Sequence, residues 1–548
     1  MSEADIAIRS GLSGRPAQTS AVIAGTRGAG SDLSVAAGAG VAHAGGIAEW
    51  LRWLCSFPAM LGALLVGATF VVARSFNVDP DMWWHIRTGE LILATHRWAT
   101  TDPYSYTSAG APWMSCEWLG DVFFAAVYRV GGLRGLEVLL AVLASAVILA
   151  LYAFATLRSG NCKAAFLISA VLLALANASF NLRPQMLGYL FLILTLIALE
   201  LFRQGKQRAL WLLPVLFLVW VNTHGSWIVG LGTIALYFFA GLMSFQIGSL
   251  ETHRWTNTER LRLEIVFLLS LVVIPITPYG VRLAGYPFTV ASSLPISVAS
   301  ILEWQVMPFN LAGGKIFLAL LLGFFLAQVV FRFSWHLPEL VLFLFGTAMA
   351  CLHVRFLLLF VPFFAPLAAT MLARWAPAYH KAKDQYLINF AVMAGIVITM
   401  VHYSPSKADM EKKVAEQFPV QALEYMRAHS VPGPLFNSYG FGGYMIEAGY
   451  KTFIDGRSEL FEQTGVLGDY MHMTLLKPGA LQVLRGYGIQ SCLLQRDEPF
   501  ATLLASSPDW NKVYSDPVSA LYVKRNASNA ATQTPAESAP LTMSSKAR

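Results

Sequence analysis

Long apolar runs recur along most of the chain, and short segments rich in polar and basic residues separate them. Each run approaches the length of about 20 residues that an α-helix needs to cross a bilayer. From these runs we predict eleven transmembrane helices, at 54–74, 136–157, 164–180, 186–202, 210–222, 225–245, 263–277, 316–331, 337–352, 355–373 and 386–402. The hydrophobic pattern therefore predicts an α-helical polytopic membrane protein.

The basic residues between the predicted helices indicate which side of the membrane each loop faces. With the N-terminus in the cytoplasm, the cytoplasmic loops hold Arg158, Lys163, Arg203, Lys206, Arg208, Arg254, Arg260, Arg262, Arg332, Arg374, Lys381 and Lys383. The opposite short loops hold little beyond Arg183 and Arg355. An excess of Lys and Arg marks the cytoplasmic side. The long loop 75–135 and everything after residue 403 are therefore predicted to lie outside the membrane.

Three segments lie outside the predicted membrane domain, which spans residues 50–403 and includes the outward loop 75–135. Residues 1–49 and 526–548 are rich in small and polar residues and are predicted to be disordered tails. Residues 404–525 have the composition of a soluble domain, and we predict a small extracytoplasmic α/β domain. It has a helix in "MEKKVAEQFPVQALEYMRAH" and strands in "GPLFNSYGFGGYMIEAGYKTFIDGRSEL", "SCLLQRDEP" and "SALYVKR". Within the loop 75–135, "MWWHIRTGELILATHR" and "WLGDVFFAAVYRVGG" predict amphipathic helices on the membrane surface.

Composition excludes several other classes of protein. The chain is 56% hydrophobic and only 13% charged, whereas a soluble domain carries roughly a quarter charged residues. The net charge of +7 is spread over the ends of the apolar runs, which argues against a nucleic-acid partner. The five cysteines contain no CxxC pair and indicate neither a zinc site nor a disulfide framework. A single Cys116–Cys492 bridge outside the membrane stays open.

Ionisable and polar residues gather on the predicted outer side. The candidate site residues are Asp79, Asp81, His85, Arg87, Asp102 and Glu117 in the long loop, and Arg183, Asn222, His224, Glu303 and Arg355 in the shorter outer segments. Ionisable groups near membrane depth are costly and usually face a cavity or a partner. Carboxylates can act as general bases or bind a divalent cation, while Arg and His can hold a phosphate. Turn formation by Asp102-Pro103 and snorkelling of arginine explain some of these residues equally well.

Several of these segments together resemble a known group of bacterial membrane proteins. They are "DPDMWWHIRTGELIL", "TDPYSYT", "PWMSCEWLGDV", "RPQMLGYL", "WVNTHGSWIVGL", "EWQ", "VRFLLLF" and "FNSYGFGGYMIEAGYKTFIDGRSEL". The group is similar to the GT-C superfamily of glycosyltransferases, which use polyprenyl-phosphate sugars. The resemblance covers roughly residues 54–525. In "FIDGRSEL", an Asp-Gly turn with a local ion pair accounts for Asp455, Arg457 and Glu459, which stay outside the predicted site.

The resemblance implies an activity and a catalytic residue. In GT-C enzymes an acidic residue near the end of the first span acts as the catalytic base, and its match here is Asp79, with Asp81 as the near alternative. Some members bind a divalent metal through a pair similar to "DPD" and others need none, so a divalent cation stays a possible cofactor. Implied partners are membrane lipid, a polyprenyl-phosphate-linked sugar donor and an envelope glycan, lipid or protein acceptor. The implied location is the bacterial inner membrane.

From the residues we infer that the remaining candidates bind substrate, with Arg183, His224 and Arg355 near the lipid phosphate. The leading hypothesis is an inverting membrane glycosyltransferase. A transporter or flippase of an envelope lipid would instead place polar groups near the bilayer midplane and show an inverted repeat, and the sequence shows neither feature. A non-catalytic envelope scaffold would tolerate loss of the Asp79 carboxylate. The sequence does not identify the sugar or the acceptor.

Overall fold

A computed structural model describes residues 42–73, 78–176, 180–292 and 294–525. The chain divides into two compact units, Met1–Leu54 and Cys55–Arg548. In the first unit the described element is helix α1, Ala42–Leu54, which begins inside the segment predicted to be disordered. Most of the two predicted tails, residues 1–41 and 526–548, lies outside the described residues.

The second unit is mostly helical. Its first part contains α2 Phe57–Ala73, α3 Pro80–Thr95, α4 Trp118–Ser159, α5 Cys162–Ala176, α6 Gln185–Arg203, α7 Leu213–Val221, α8 Trp227–Ala240, α9 Asn257–Val272, α10 Val281–Ser292, α11 Pro295–Ser300, α12 Ala312–Val330, α13 Leu337–Leu352, α14 Leu357–Leu372 and α15 Tyr386–His402. A small sheet joins β1 Phe245–Ile247, β2 Leu250–Thr252 and β3 Trp335–His336 in that order. Helix α4 packs against α2, α3, α5, α6 and α14, so it lies at the centre of the helical core.

The apolar runs form helices as predicted, but fewer are full spans by length. Among the described residues, four helices are long and apolar enough to cross a membrane: Trp118–Ser159, Gln185–Arg203, Ala312–Val330 and Val354–Leu372, the last of which includes the turn before α14. A fifth span results if α15 and the next helix, bent by 61°, form one broken span. Five further apolar helices are shorter. Helix α7 has nine residues and rises only about 14 Å, so it cannot span a bilayer alone. The count of eleven spans therefore stays a prediction.

The two helices predicted in the long loop are present as α3 and the first part of α4, whereas their place on the membrane surface stays a prediction and α3 is largely buried within the protein. Asp79 caps α3 by accepting a hydrogen bond from the Asp81 N–H at 2.9 Å, and Pro80 occupies the first helical turn. Gly132 interrupts α4 with a φ of 56°, a value that glycine adopts readily. This break separates the predicted surface segment from the predicted span at 136–157. The sequence "GG" at this point therefore marks a bend.

The C-terminal region, residues 404–525, surrounds a four-stranded sheet with helices. Its helices are α16 Lys407–Gln417, α17 Val420–Ala428, α18 Gly442–Glu447, α19 Ser458–Gln463, α20 Val466–Thr474, α21 Ala480–Gly486 and α22 Pro499–Ser506, and its strands are β4 Leu435–Asn437, β5 Ser491–Gln495, β6 Trp510–Ser515 and β7 Ser519–Lys524. The strand order is β4-β5-β7-β6. Strands β4 and β5 are parallel, whereas β7 runs antiparallel to both β5 and β6.

The detailed predictions for this region are partly correct. Strands β5 and β7 lie where "SCLLQRDEP" and "SALYVKR" predicted them. The single predicted helix is two helices, because Pro419 lacks the N–H that a continuous helix would need. The segment 433–460 was predicted as several strands, and this is wrong: after the three-residue strand β4 it is largely helical. The five cysteines are free, so no Cys116–Cys492 bridge forms.

Two apolar cores connect the C-terminal region with the rest of the second unit. The larger core runs through the helical part and includes Met410, Val414 and Phe418 of the C-terminal region. The other lies beneath the C-terminal sheet and includes Tyr104 and Trp113 of the long loop. The long loop is therefore held between the helices and the C-terminal region, which positions its polar side chains.

Candidate functional site

Arg183 gathers three of the predicted acids around one guanidinium group. Its Nε lies 2.7 Å from Asp79 Oδ2, its Nη2 lies 2.9 Å from Asp81 Oδ2, and its Nη1 lies 3.1 Å from Glu303 Oε1. Asp79 is buried, whereas the Glu303 side chain is 37% exposed, so this side of the group is accessible from outside the protein. We call these four residues the Arg183 cluster.

The local sequence explains how the aspartates come to face Arg183. Asp79 precedes Pro80 and caps α3, so the two aspartates lie at the first turn of that helix. Arg183 precedes Pro184 in the turn before α6. A residue before proline is biased away from helical backbone, so Arg183 lies in the turn before α6 and outside the helix. The beginnings of α3 and α6 therefore meet through this arginine.

The two aspartates differ in what their oxygens can still do. Asp79 uses one oxygen to cap α3 and the other to bind Arg183, so it has a mainly anchoring geometry. Asp81 binds Arg183 through one oxygen. Burial raises the pKa of Asp81, Arg183 lowers it and Asp79 raises it again, with a net rise to about 6. Asp81 is therefore an ionised carboxylate at neutral pH that readily takes up a proton.

Glu117 is the centre of a second group, which we call the Glu117 cluster. Its Oε2 lies 3.6 Å from Nε2 of His85, and its Oε1 lies 3.3 Å from Nε2 of His224. On the far side of the first imidazole, Asp121 Oδ1 lies 2.6 Å from His85 Nδ1. Asp121 also accepts a hydrogen bond from the Ser115 hydroxyl. Two carboxylates thus flank one buried imidazole.

His85 is the imidazole of this cluster whose cationic form its neighbours favour. Burial disfavours the cationic form, but the Asp121 carboxylate and its hydrogen bond outweigh burial and, with Glu117, raise the pKa of His85. The short contact with Asp121 places a proton on Nδ1 and orients the ring. The Nε2 of the ring then faces Glu117.

His224 is the neutral imidazole of the cluster. Burial, Arg355 and His85 together lower the pKa of His224 to about 3. Its Nδ1 accepts the backbone N–H of Ser226 at 3.1 Å, so the single ring proton lies on Nε2. That N–H faces Glu117. Glu117 consequently lies between the Nε2 atoms of two imidazoles.

Arg355 connects the two clusters through an aromatic contact. Its guanidinium lies 4.2 Å from the ring centre of Trp304, the neighbour of Glu303 in the chain. The Val354 N–H donates to the Gln305 carbonyl at 3.0 Å, which ties the two segments together. Arg355 also contributes to the lowered pKa of His224, so it lies near the Glu117 cluster as well.

Five helices begin at these residues. Helices α3, α4, α6, α8 and α14 start at or within a few positions of the side chains just described. The N-terminal end of a helix carries a partial positive charge and free N–H groups, and it favours nearby anions. The site therefore combines helix starts and basic side chains with a group of carboxylates that can accept a proton.

The C-terminal region forms one wall of the site. Gly456 lies so close to Asp81 that an added Cβ would overlap Asp81 Oδ1 and would stand 3.2 Å from Trp84 Nε1. Glu459 forms a hydrogen bond with Tyr286. Glu462 accepts hydrogen bonds from two backbone N–H groups at the start of α11, at 2.6 and 2.9 Å. These contacts hold α3, α10 and α11 against the C-terminal region.

Arg457 anchors this wall. It is buried and binds Asp455 and Asp102, each at 2.7 Å, while its guanidinium lies over the rings of Tyr104 and Trp113. The local ion pair predicted in "FIDGRSEL" is present, but its second acid, Asp102, comes from the long loop. Asp102 therefore joins a structural ion pair and lies outside both clusters.

Arg87 and Asn222 likewise lie outside both clusters. Arg87 pairs with Glu90 at 3.1 Å and is partly exposed. Asn222 accepts the Trp118 indole N–H at 2.7 Å and donates to two backbone carbonyls, which leaves its amide saturated. Of the predicted site residues, the structure brings together Asp79, Asp81, His85, Glu117, Arg183, His224, Glu303 and Arg355.

Sequence reasoning missed Asp121 and Gly456 as parts of the site. Asp121 lies in the predicted surface helix "WLGDVFFAAVYRVGG", and its position as an acid among apolar residues could have flagged it. Gly456 gave no chemical signal, because its role depends on a close approach between distant segments. Such approaches become visible only in three dimensions.

The residues of the site do not fit a metal ion in this arrangement. The "DPD" aspartates direct their oxygens at Arg183, whose positive charge lies where a bound cation would be expected. Within the described ranges, no group of three or more His, Cys, Asp or Glu side chains is arranged to hold a metal. We therefore assign no step to a metal ion.

Solved structures similar to this chain include the two described here, whereas no family model and no curated protein matches the sequence. The apo oligosaccharyltransferase of Archaeoglobus fulgidus has a TM-score of 0.47 at 12% identity, covering 79% of this chain and 69% of that chain. ArnT from Cupriavidus metallidurans bound to undecaprenyl phosphate has a TM-score of 0.45 at 13% identity, covering 87% of this chain and 98% of that chain. At these scores the likeness does not define a reaction, which depends on the side chains of the site.

Proposed function

We propose that the protein is an inverting membrane glycosyltransferase, which transfers a sugar from a polyprenyl-phosphate donor to an envelope acceptor at the extracytoplasmic face. Asp81 is its catalytic carboxylate, and Asp79 positions Arg183 beside it. The substrate-binding residues are His85, Glu117, Arg183, His224, Glu303 and Arg355. The observation that carries the proposal is that the Arg183 cluster, the Glu117 cluster and Arg355 lie at the starts of five helices, close enough for His85 to influence the pKa of Asp81 and for Arg183 to influence that of Glu117.

The reaction needs a proton acceptor, and Asp81 suits this role. It is partly exposed and has a pKa of about 6, so it is ionised at neutral pH and can still bind a proton. As Asp81 removes the proton from the acceptor hydroxyl, that oxygen bonds to the anomeric carbon of the sugar. Asp79 holds Arg183 in place beside it. A single displacement from the opposite face inverts the anomeric configuration.

The bond that breaks releases a phosphate, which takes the electron pair with it. Arg355 supplies positive charge near the Glu117 cluster, where His224 also lies. The partial positive charges at the starts of α4, α6, α8 and α14 also favour the negative charge of the phosphate. Charge that develops on the leaving oxygen is thereby stabilised by groups already in position.

The helix interiors favour an enzyme over a transporter. A transporter would be expected to carry ionisable groups near the middle of its spans. Helices α2 and α14 contain no charged residue, and α6 and α13 carry theirs at the ends, Glu200 and Arg203 in α6 and Glu339 in α13. In these four helices, charged residues therefore occur only near the helix ends.

Gene deletion and complementation test the proposed function. A strain that lacks the gene is complemented with the wild type, with Asp79→Asn or with Asp81→Asn, and its envelope glycans and polyprenyl-phosphate sugars are profiled by mass spectrometry. We expect deletion and both variants to lose one glycan modification and to accumulate its lipid-linked donor. Asparagine can still cap a helix, so Asp79→Asn preserves the start of α3.

Glu90→Gln is the matched control, because Glu90 lies on the same helix but pairs with Arg87 away from both clusters. This variant should restore the wild-type profile. A deletion strain with unchanged glycans and unchanged lipid-linked sugars would refute glycosyl transfer. Full restoration by Asp81→Asn would instead refute the assignment of Asp81 as the base.

A further inference from the structure

Glu117 differs from the other acids of the site in its partners. Asp79, Asp81 and Glu303 each bind Arg183, whereas the ion-pair contacts of Glu117 in the described part of the chain are with two imidazoles. Its side chain is 24% exposed, so it reaches the open part of the site. A carboxyl group in this position can face a ligand directly.

The position of Glu117 leaves room for a proton on its carboxyl group. Nε2 of His224 lies 3.3 Å from one oxygen and Nε2 of His85 lies 3.6 Å from the other, so both imidazoles lie on the protein side of the carboxyl group. A carboxylic acid keeps lone pairs on both oxygens and gains one O–H donor. Because the Glu117 side chain is 24% exposed, that O–H can point toward the open side of the site.

We propose that Glu117 binds the phosphate of the polyprenyl carrier in its protonated form, so that binding of the carrier phosphate takes up one proton. The neutral acid donates a hydrogen bond to a phosphate oxygen, whereas the ionised carboxylate would repel it. Arg355 and the helix starts supply the positive charge, and the site binds the phosphate only when Glu117 is protonated. This assignment rests on the glycosyl transfer proposed above.

The surroundings of Glu117 support this protonation near neutral pH. Burial raises its pKa most, His85 lowers it and Asp121 raises it, with a net rise to about 7. After the sugar has been transferred, the carrier is a phosphate monoester, as is farnesyl phosphate, and the second pKa of such a monoester is about 6, close to that of Glu117. The charged and titratable groups that face Glu117 are His85 from α3, Asp121 from α4, Arg183 before α6, His224 before α8, Cys116 beside it, Tyr286 of α10 and Glu459 of the C-terminal region.

Binding of farnesyl phosphate to the purified full-length protein tests the inference without knowledge of the sugar. Isothermal titration calorimetry at pH values from 6 to 9 compares the wild type with Glu117→Gln, whose amide stays neutral and can donate a hydrogen bond at every pH. Uptake of one proton predicts that wild-type affinity falls about tenfold per pH unit above 7, relative to the variant. Ionisation of the phosphate itself occurs in both proteins and cancels in this ratio.

Glu117→Asp keeps a titratable carboxyl group and should retain the pH dependence, while thermal unfolding confirms that each variant is folded. A constant affinity ratio between wild type and Glu117→Gln from pH 6 to 9 would overturn the role of Glu117 but leave glycosyl transfer standing. Failure of the wild type to bind farnesyl phosphate at any pH would contradict the proposed polyprenyl-phosphate donor instead. Equal affinity for inorganic phosphate would refute recognition of a lipid carrier.

Discussion

Replacing Gly456 with alanine should disable the site while leaving the fold intact. The new Cβ would overlap Oδ1 of Asp81 and would stand 2.6 Å from its Cγ, whereas non-bonded carbon atoms prefer about 3.5–4.0 Å. The Asp81 carboxyl group must therefore retreat by at least about 1 Å. Its contact with Arg183, now 2.9 Å, would lengthen toward the limit of an ion pair.

A displacement of about 1 Å at a reacting group can lower the rate about a hundredfold, which corresponds to about 2.7 kcal/mol of activation free energy. Membranes from the deletion strain contain the donor that accumulates there, so they can serve as substrate. Purified wild type or Gly456→Ala is added to them, and disappearance of the lipid-linked sugar is followed by mass spectrometry. We expect about a hundredfold slower consumption with the variant.

Gly486→Ala is the matched control, because a Cβ at that glycine of α21 meets no atom within 4 Å. It should consume the donor at the wild-type rate. Gly456→Ala should also cause no further loss in an Asp81→Asn background, since both changes act on one group. A folded Gly456→Ala protein with a rate within about threefold of wild type would refute the reasoning.

Three further results are expected. Arg457→Leu should destabilise the protein by about 3–5 kcal/mol, because it leaves two buried aspartates without their cation, and thermal unfolding would show whether the loss is smaller. Donor consumption should be fastest between about pH 6 and 7, because Asp81 must be ionised and Glu117 must be protonated. A rate of consumption that stays high at pH 9 would contradict this pair of roles. Burial, and after it the nearby Glu90, raise the pKa of Glu447 to about 8 in the folded protein. Ionisation of Glu447 therefore lowers the free energy of unfolding as the pH rises from the pKa of the unfolded chain to about 8. Glu447→Gln should therefore increase the unfolding temperature at pH 8 but not at pH 5, and equal shifts at both pH values would disprove this cause.

Much of the helical architecture is readable from the sequence, because apolar runs and capping residues act locally. Asp79-Pro80 marks the start of α3, and the glycine pair at 131–132 marks the bend in α4. Strands β5 and β7 follow from short runs of apolar residues. The segment 433–460 was predicted wrongly because its glycines indicate turns. Gly442 and Gly443 instead lie in α18, where they allow close contact with Asp455 and Pro80.

The sequence by itself determined which polar residues are candidates, since it separates polar residues from apolar runs and basic loops from acidic ones. Tertiary structure decided which of them meet. Asp79 and Arg183 are 104 positions apart, and Asp102 and Arg457 are 355 positions apart, yet each pair forms a contact of 2.7 Å. Hydrophobic periodicity reports the environment of a single helix or strand. Contacts between distant acids and bases depend instead on how helices and loops pack, and no local pattern of residues specifies that packing.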